Sequence, residues 1–141
     1  MSGVDYFNTF IAVAPDSTAT CGIIPPGGAT SDTVAARMWR MIAESPYEFT
    51  SADVIFSVYA DRAKIAEVDR PGARAEYFSV GRACLRSSEL GRRYGWGIHA
   101  DPVGHVALYP VGTREYAAFA SGITPEGEPV ALTRAMRSTR R

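Results

Sequence analysis

The chain has one lysine, Lys64, among its fifteen basic residues, two histidines, two cysteines and no net charge. Each scarcity closes off a class of function. Cys21 and Cys84, without a CxxC pair, make neither a disulfide framework nor a thiolate metal site, and both read as free thiols. Cys84 is the better nucleophile of the two, because Arg82 and Arg86 flank it and cations lower a thiol pKa. There is no HExxH, no P-loop and no GxGxxG, so the chain reads as working without metal or organic cofactor. Tyr94-Gly95-Trp96-Gly97 has a similar glycine spacing but lacks the strand-then-helix setting of a phosphate loop.

No apolar run approaches the roughly 18–20 residues of a membrane helix. The start, MSGVDYFNTF, lacks the basic and long apolar segments of a signal peptide. These absences point to a cytoplasmic protein with no membrane contact. Zero net charge is far from the usual excess of a nucleic-acid protein. The four arginines after Glu128 supply few phosphate contacts, so nucleic acid is not the expected partner. The charge is nevertheless segregated. Residues 1–76 carry six basic and ten acidic side chains, and residues 77–141 carry nine and five. Such a split suits an anionic ligand or a head-to-tail or dimer contact.

What is present is an ordinary globular composition. Apolar content of 46% and charged content of 21% in 141 residues are enough for one real core. The division read from the pattern is a single α+β domain over 1–122 and a basic C-terminal tail over 123–141. That tail is either docked through Val130, Leu132 and Met136 or loose.

Along the chain, NTFIAVA at 8–14 reads as an interior strand, with apolar residues on both faces. The connection at 15–31 contains Pro25-Pro26-Gly27-Gly28 and no regular element, with Ile23 and Ile24 as candidate anchors over a pocket. A helix follows to Glu44, capped by Ser31 or Asp32, with Val34, Met38, Met41 and Ile42 inward. Thr50-Ser51-Ala52-Asp53 is a capping box for a second helix ending near Ala63, whose stripe is Ile55, Val58, Tyr59 and Arg62. Residues 67–74 read as a linker and 73–80 as a short helix burying Tyr77 and Phe78. Ser87 or Ser88 caps another short helix that Gly95 ends, and Thr113 caps REYAAFA with Tyr116 and Phe119 inward.

The most informative signal is Asp101-Pro102-Val103-Gly104. Asp, Pro and Gly occupy the first, second and fourth positions, as in a type I turn closed by a left-handed glycine. That loop pairs Ile98 with Leu108 and Ala100 with Val106 in a hairpin over 96–110. Because side chains alternate, Trp96, Ile98, Ala100, Val106 and Leu108 share a core face. His99, Asp101, His105, Ala107 and Tyr109 share the other, expected to be solvated. The overall expectation is an α+β fold whose small antiparallel sheet is covered on one side by helices.

Two candidate sites emerge. On the polar face, His99 titrates near neutrality and is the candidate general acid or base, assisted by Asp101 and Tyr109. His99 and His105 are diagonal neighbours, so proton transfer and metal binding are both conceivable there. Upstream, Arg86, Arg92 and Arg93, with the Trp96 ring, form a candidate ligand site. The guanidinium fork matches carboxylate and phosphate, although Arg92 and Arg93 also suit a helix C-terminus.

The string CLRSSELGRRYGWGIHADPVGHVALY resembles a family of uncharacterised, mostly bacterial proteins of about this length. PYEFTSADVIFSVYADR, FNTFIAVAPD and RAMRSTRR carry the resemblance across nearly the whole chain. YGWGIH and PYxxTSxDV are its specific motifs. The resemblance implies a single full-length domain of unknown function and supplies no activity. Three readings therefore stand on the residues, in this order. The first is a small-molecule or anion-binding domain. The second is a small cofactor-independent enzyme using His99. The third is an interaction module that forms a homodimer.

Overall fold

The computed structural model describes residues 3–26 and 33–138. Its elements are β1 (Thr9–Ala12), α1 (Val34–Glu44), α2 (Ser51–Arg62), α3 (Arg70–Tyr77), α4 (Glu89–Arg92), β2 (Trp96–Ala100), β3 (Val106–Pro110), α5 (Arg114–Ala120) and β4 (Ala131–Arg134). The fold class is α+β, with the strands ordered β3-β2-β1-β4. None of the described helices is long and apolar enough to cross a membrane.

The hairpin has the register that its turn dictates: Ala100 opposes Val106, His99 opposes Ala107, Ile98 opposes Leu108 and Gly97 opposes Tyr109. Gly104 takes a φ of +96°, its N–H donates to the Asp101 carbonyl at 2.9 Å, and the Asp101 N–H donates to the His105 carbonyl at 2.9 Å. β1 lies antiparallel to β2, with Phe10 opposite His99. β4 runs parallel to β1, so the sheet is mixed rather than antiparallel. The cause is topological. After β3 the chain crosses through α5 to the far edge and enters it in the same sense as β1.

One face of the sheet packs Ile11, Ile98, Ala100 and Val106 against Met38, Ile42, Val54, Ile55, Val58, Leu85 and Leu90. This core joins the sheet to α1, α2 and the 85–90 stretch. The second face is covered as well, contrary to the expectation of a solvated surface. Phe10, Ala12, Phe119 and Val130 form a smaller core there, with Tyr109 and Tyr116 at its margin. Phe119 of α5 closes it, because Thr113 caps that helix with its hydroxyl and points Phe119 inward. Phe10 stacks on Phe119 at 4.8 Å and meets Tyr116 edge-on at 5.3 Å.

Local signals largely decide the helix starts. Thr50 Oγ1 accepts from the Asp53 N–H at 3.1 Å and Asp53 Oδ2 accepts from the Thr50 N–H at 3.0 Å, completing the capping box. Thr33 caps α1; Ser31 and Asp32, the expected caps, lie outside the described residues, as do Gly27, Gly28, Arg140 and Arg141. α3 starts at Arg70, inside the expected linker, because Pro71 suits the first turn of a helix, where its missing N–H has no partner to lose. Val34 and Tyr59, expected inward, are exposed. Ile23 and Ile24 are exposed too. That loop is anchored instead by the buried Pro25 side chain and by backbone, the Ile23 N–H donating to the Tyr94 carbonyl at 2.8 Å. Beyond 122 the chain buries Val130 and Ala135 but leaves Leu132 and Met136 half outside.

Candidate functional site

A cleft of about 300 Å³ opens on the second face of the sheet, over β2 and β3. Tyr47, His99, Asp101, Tyr109, Phe119, Pro125 and Glu126 line it. The chain delivers these residues from four places.

His99 and Tyr109 come from the hairpin. Alternation puts both on the face beneath α5, and Phe119 then lies 4.5 Å from the His99 ring and 4.8 Å from the Tyr109 ring. His99 is therefore only 7% exposed.

Tyr47 comes from the α1–α2 connection. That segment borders β3, with the Tyr47 N–H donating to the Val106 carbonyl and the Val106 N–H to the Phe49 carbonyl, both at 2.9 Å. Tyr47 adopts a φ of +62°, a conformation costly for a residue with a Cβ. The result brings its ring edge-on to His99 at 5.6 Å.

Asp101 and Glu126 come from two turns built alike. Asp101-Pro102-Val103-Gly104 and Thr124-Pro125-Glu126-Gly127 both have Pro second and a left-handed Gly fourth. In each, the Gly N–H returns to the first residue's carbonyl, and the first residue's N–H donates to the carbonyl of the fifth. In each, the first side chain also accepts a backbone N–H: Asp101 Oδ1 from His105 at 2.9 Å, Thr124 Oγ1 from Glu128 at 3.0 Å.

The chemistry of the cleft lies in a hydrogen-bonded chain. Tyr47 Oη is 2.8 Å from His99 Nδ1 and 2.7 Å from Tyr109 Oη. His99 Nε2 is buried and has no hydrogen-bond partner among the described residues. Two proton arrangements fit. With the proton on Nδ1, His99 donates to Tyr47, Tyr47 donates to Tyr109, and Tyr109 has its own proton to offer outward. With the proton on Nε2, each of these bonds reverses and a buried N–H is left with no acceptor. Orphaned N–H donors are the rarer failure in folded proteins, so the first arrangement is favoured.

Electrostatics hold the chain neutral. Burial pulls the His99 imidazole below its ordinary value, opposed by the carboxylates of Asp101 and Glu126. Burial first, then the Tyr109 hydroxyl and the same two carboxylates, push the Tyr47 phenol well above its ordinary value. Tyr47 thus stays a neutral phenol.

Of the residues expected from sequence, His99, Asp101 and Tyr109 meet in this cleft. His105 is not among the residues that line it, and no three His, Cys, Asp or Glu side chains gather into a metal-binding group among the described residues. Arg86, Arg92, Arg93 and Trp96 are not among the residues that line this cleft. Arg86 Nε donates to the Arg134 carbonyl at 2.6 Å, an Arg92 guanidinium N–H reaches the Ser87 carbonyl at 3.4 Å, and Arg93 pairs with Glu89 at 3.3 Å. Trp96 Nε1 donates to the Ile23 carbonyl at 2.8 Å, and its ring sits 6.1 Å from Trp39. Arg92 Nε remains buried without a hydrogen-bond partner among the described residues. Sequence reading missed Tyr47 and Glu126. Their signals were a tyrosine beside Pro46 in a short connection and a second x-Pro-x-Gly turn.

A larger cleft of about 660 Å³ lies between α1, α2, α3 and residues 83–89. Its wall is mainly apolar and includes Met38, Ile55, Val58 and Cys84. Cys84 Sγ lies 3.3 Å from Tyr6 Oη. Size favours this cleft, but the polar chain and the unpartnered His99 Nε2 belong to the smaller one; Trp39 Nε1, Ser51 Oγ and Arg92 Nε are the other buried polar atoms without a partner among the described residues.

Neither the curated proteins nor the solved structures contain a match to this chain. A family model does match, over residues 1–141. The chain therefore belongs to DUF6157, a family of unknown function.

Proposed function

We propose that this domain binds a small molecule in the cleft at His99. The observation that carries the reading is the buried, unpartnered Nε2 of His99 at one end of the Tyr109–Tyr47–His99 chain. A buried polar atom without a partner costs about 1–3 kcal/mol, and a ligand group is one way to recover it. A cleft with aromatic walls and a few convergent polar groups is the usual form of a small-ligand site, and about 300 Å³ stands at the small end of that range. The anion reading has less support at this cleft, because Asp101 and Glu126 border it and no arginine or lysine is among its lining residues.

Acid–base catalysis is the second reading, favoured by one feature. If His99 Nε2 takes a proton from a substrate while Tyr109 releases its own proton outward, the Nδ1 and Tyr47 protons each shift one place and both hydrogen bonds reverse, so that every group stays neutral. General acid–base work requires such a group within hydrogen-bond reach of substrate.

The test is a fragment screen by NMR on protein labelled in its His and Tyr rings, with Tyr109→Phe alongside. Fragments that shift the His99 and Tyr109 signals and weaken in Tyr109→Phe support the reading. Fragments that bind only at the Cys84 cleft, or none that bind, overturn it.

A further inference from the structure

We infer that the cleft at His99 selects a small organic ammonium ion, such as a primary amine on one ring or a short chain. The inference rests on the cleft being a ligand site and adds the charge and class of its ligand.

Two carboxylates border the cleft, Asp101 and Glu126, and no lysine or arginine is among its lining residues. Neither carboxylate forms a salt bridge among the described residues, whereas Asp53, Asp61, Glu67 and Glu89 all do. Asp101 spends only Oδ1 on its turn, where it accepts the Val103 and His105 N–H groups, so Oδ2 keeps its lone pairs. Glu126 sits third in its own turn, a position fixed by Pro125 and Gly127 rather than by any contact of its carboxylate. Both charges therefore act on the cleft without an internal cation.

The walls add to this. Tyr47 and Tyr109 present electron-rich rings, and a cation within about 6 Å of such a ring is attracted to its face. His99 completes the set as a neutral base. With the proton on Nδ1, Nε2 is an acceptor lacking a donor, and an ammonium group is a donor with no acceptor capacity. A carboxylate or phosphate ligand would meet two like charges and an orphan acceptor. A neutral alcohol would leave both carboxylates uncompensated.

The experiment uses three probes of one shape: benzylamine, benzyl alcohol and benzoate. Each is titrated at pH 7.5 and low salt into the full chain, with binding read from the His99 and Tyr109 ring signals. Variants are Glu126→Gln and Asp101→Asn, the latter keeping an oxygen for the turn. Benzylamine should bind about tenfold more tightly than benzyl alcohol, as expected when cation–π and carboxylate attraction combine. The preference should fall in each variant and shrink as salt is raised. Equal binding of amine and alcohol overturns the ammonium assignment but leaves the cleft as a ligand site. Tighter binding of benzoate overturns it and restores the anion reading. No binding by any probe overturns both.

Discussion

Tyr47 Oη stands between two polar atoms of the hairpin, but its bond to His99 Nδ1, at 2.8 Å, is the one that cannot be replaced by water. His99 packs against Phe119 at 4.5 Å and is largely buried, and its other nitrogen already lacks a partner. Tyr47→Phe would leave both ring nitrogens unpaired inside the protein. The expected cost is about 1–3 kcal/mol of stability. Urea denaturation of the two proteins checks this, and an unchanged midpoint would mean that water reaches Nδ1.

Acid should weaken the fold through His99. Its imidazole titrates below the ordinary value of about 6.5 in the folded protein and near that value when unfolded. Between those two values the unfolded chain holds the extra proton, so stability is fully present above about pH 6.5 and declines as pH falls toward the folded value. His99→Gln removes that part of the slope. Denaturation midpoints at pH 7.5 and 5.5 for both proteins measure it, and parallel curves would refute it.

Two glycines should respond in opposite ways to alanine. At Gly97 an added Cβ would collide with the Phe10 ring and stand 2.8 Å from Tyr116. Phe10 is clamped by Phe119 and cannot retreat, so Gly97→Ala should cost about 1–3 kcal/mol. Gly72 lies in the first turn of α3 with nothing within 4 Å of the new atom. Gly72→Ala should gain about 0.5–1 kcal/mol from helix propensity. Thermal melts of both variants decide between these signs.

The capping box sets a second, lower acid transition. Burial tends to raise the Asp53 carboxyl, but the Thr50 N–H, the Arg74 guanidinium and the Thr50 hydroxyl together hold it below its ordinary value. Its contribution is present above about pH 3.9 and is lost as pH falls through the lower folded value. Thr50→Ala should cost about 1 kcal/mol at neutral pH. An equal loss in Thr50→Ala and in Thr50→Ser would show that the hydroxyl is not what matters.

How much of this was legible in the sequence depends on the range of the signal. Asp101-Pro102-Val103-Gly104 fixes the hairpin register because the turn and the period of two agree within a dozen residues. Thr50 and Asp53 fix the start of α2 for the same reason. The fate of the His99 face was not legible, because its cover comes from Phe119 and Val130, far along the chain. REYAAFA indicates that Phe119 points inward, but not onto which side of which sheet. Tyr47 was hidden differently. Its left-handed backbone is unfavourable for tyrosine and is imposed by the bonds that tie residues 47–49 to Val106.

The parallel pairing of β1 with β4 also governs when the fold can finish. β1 leaves the ribosome well ahead of its partner β4, which lies far downstream in the chain. Until Ala131–Arg134 emerges, one edge of β1 has no neighbour, and Phe10 and Ala12 wait for Phe119 and Val130 to cover them. Contacts between such distant segments form late and slow the search for the native state. Nascent chains arrested before residue 131 should accordingly be the aggregation-prone species, with the open edge of β1 as the surface that sticks.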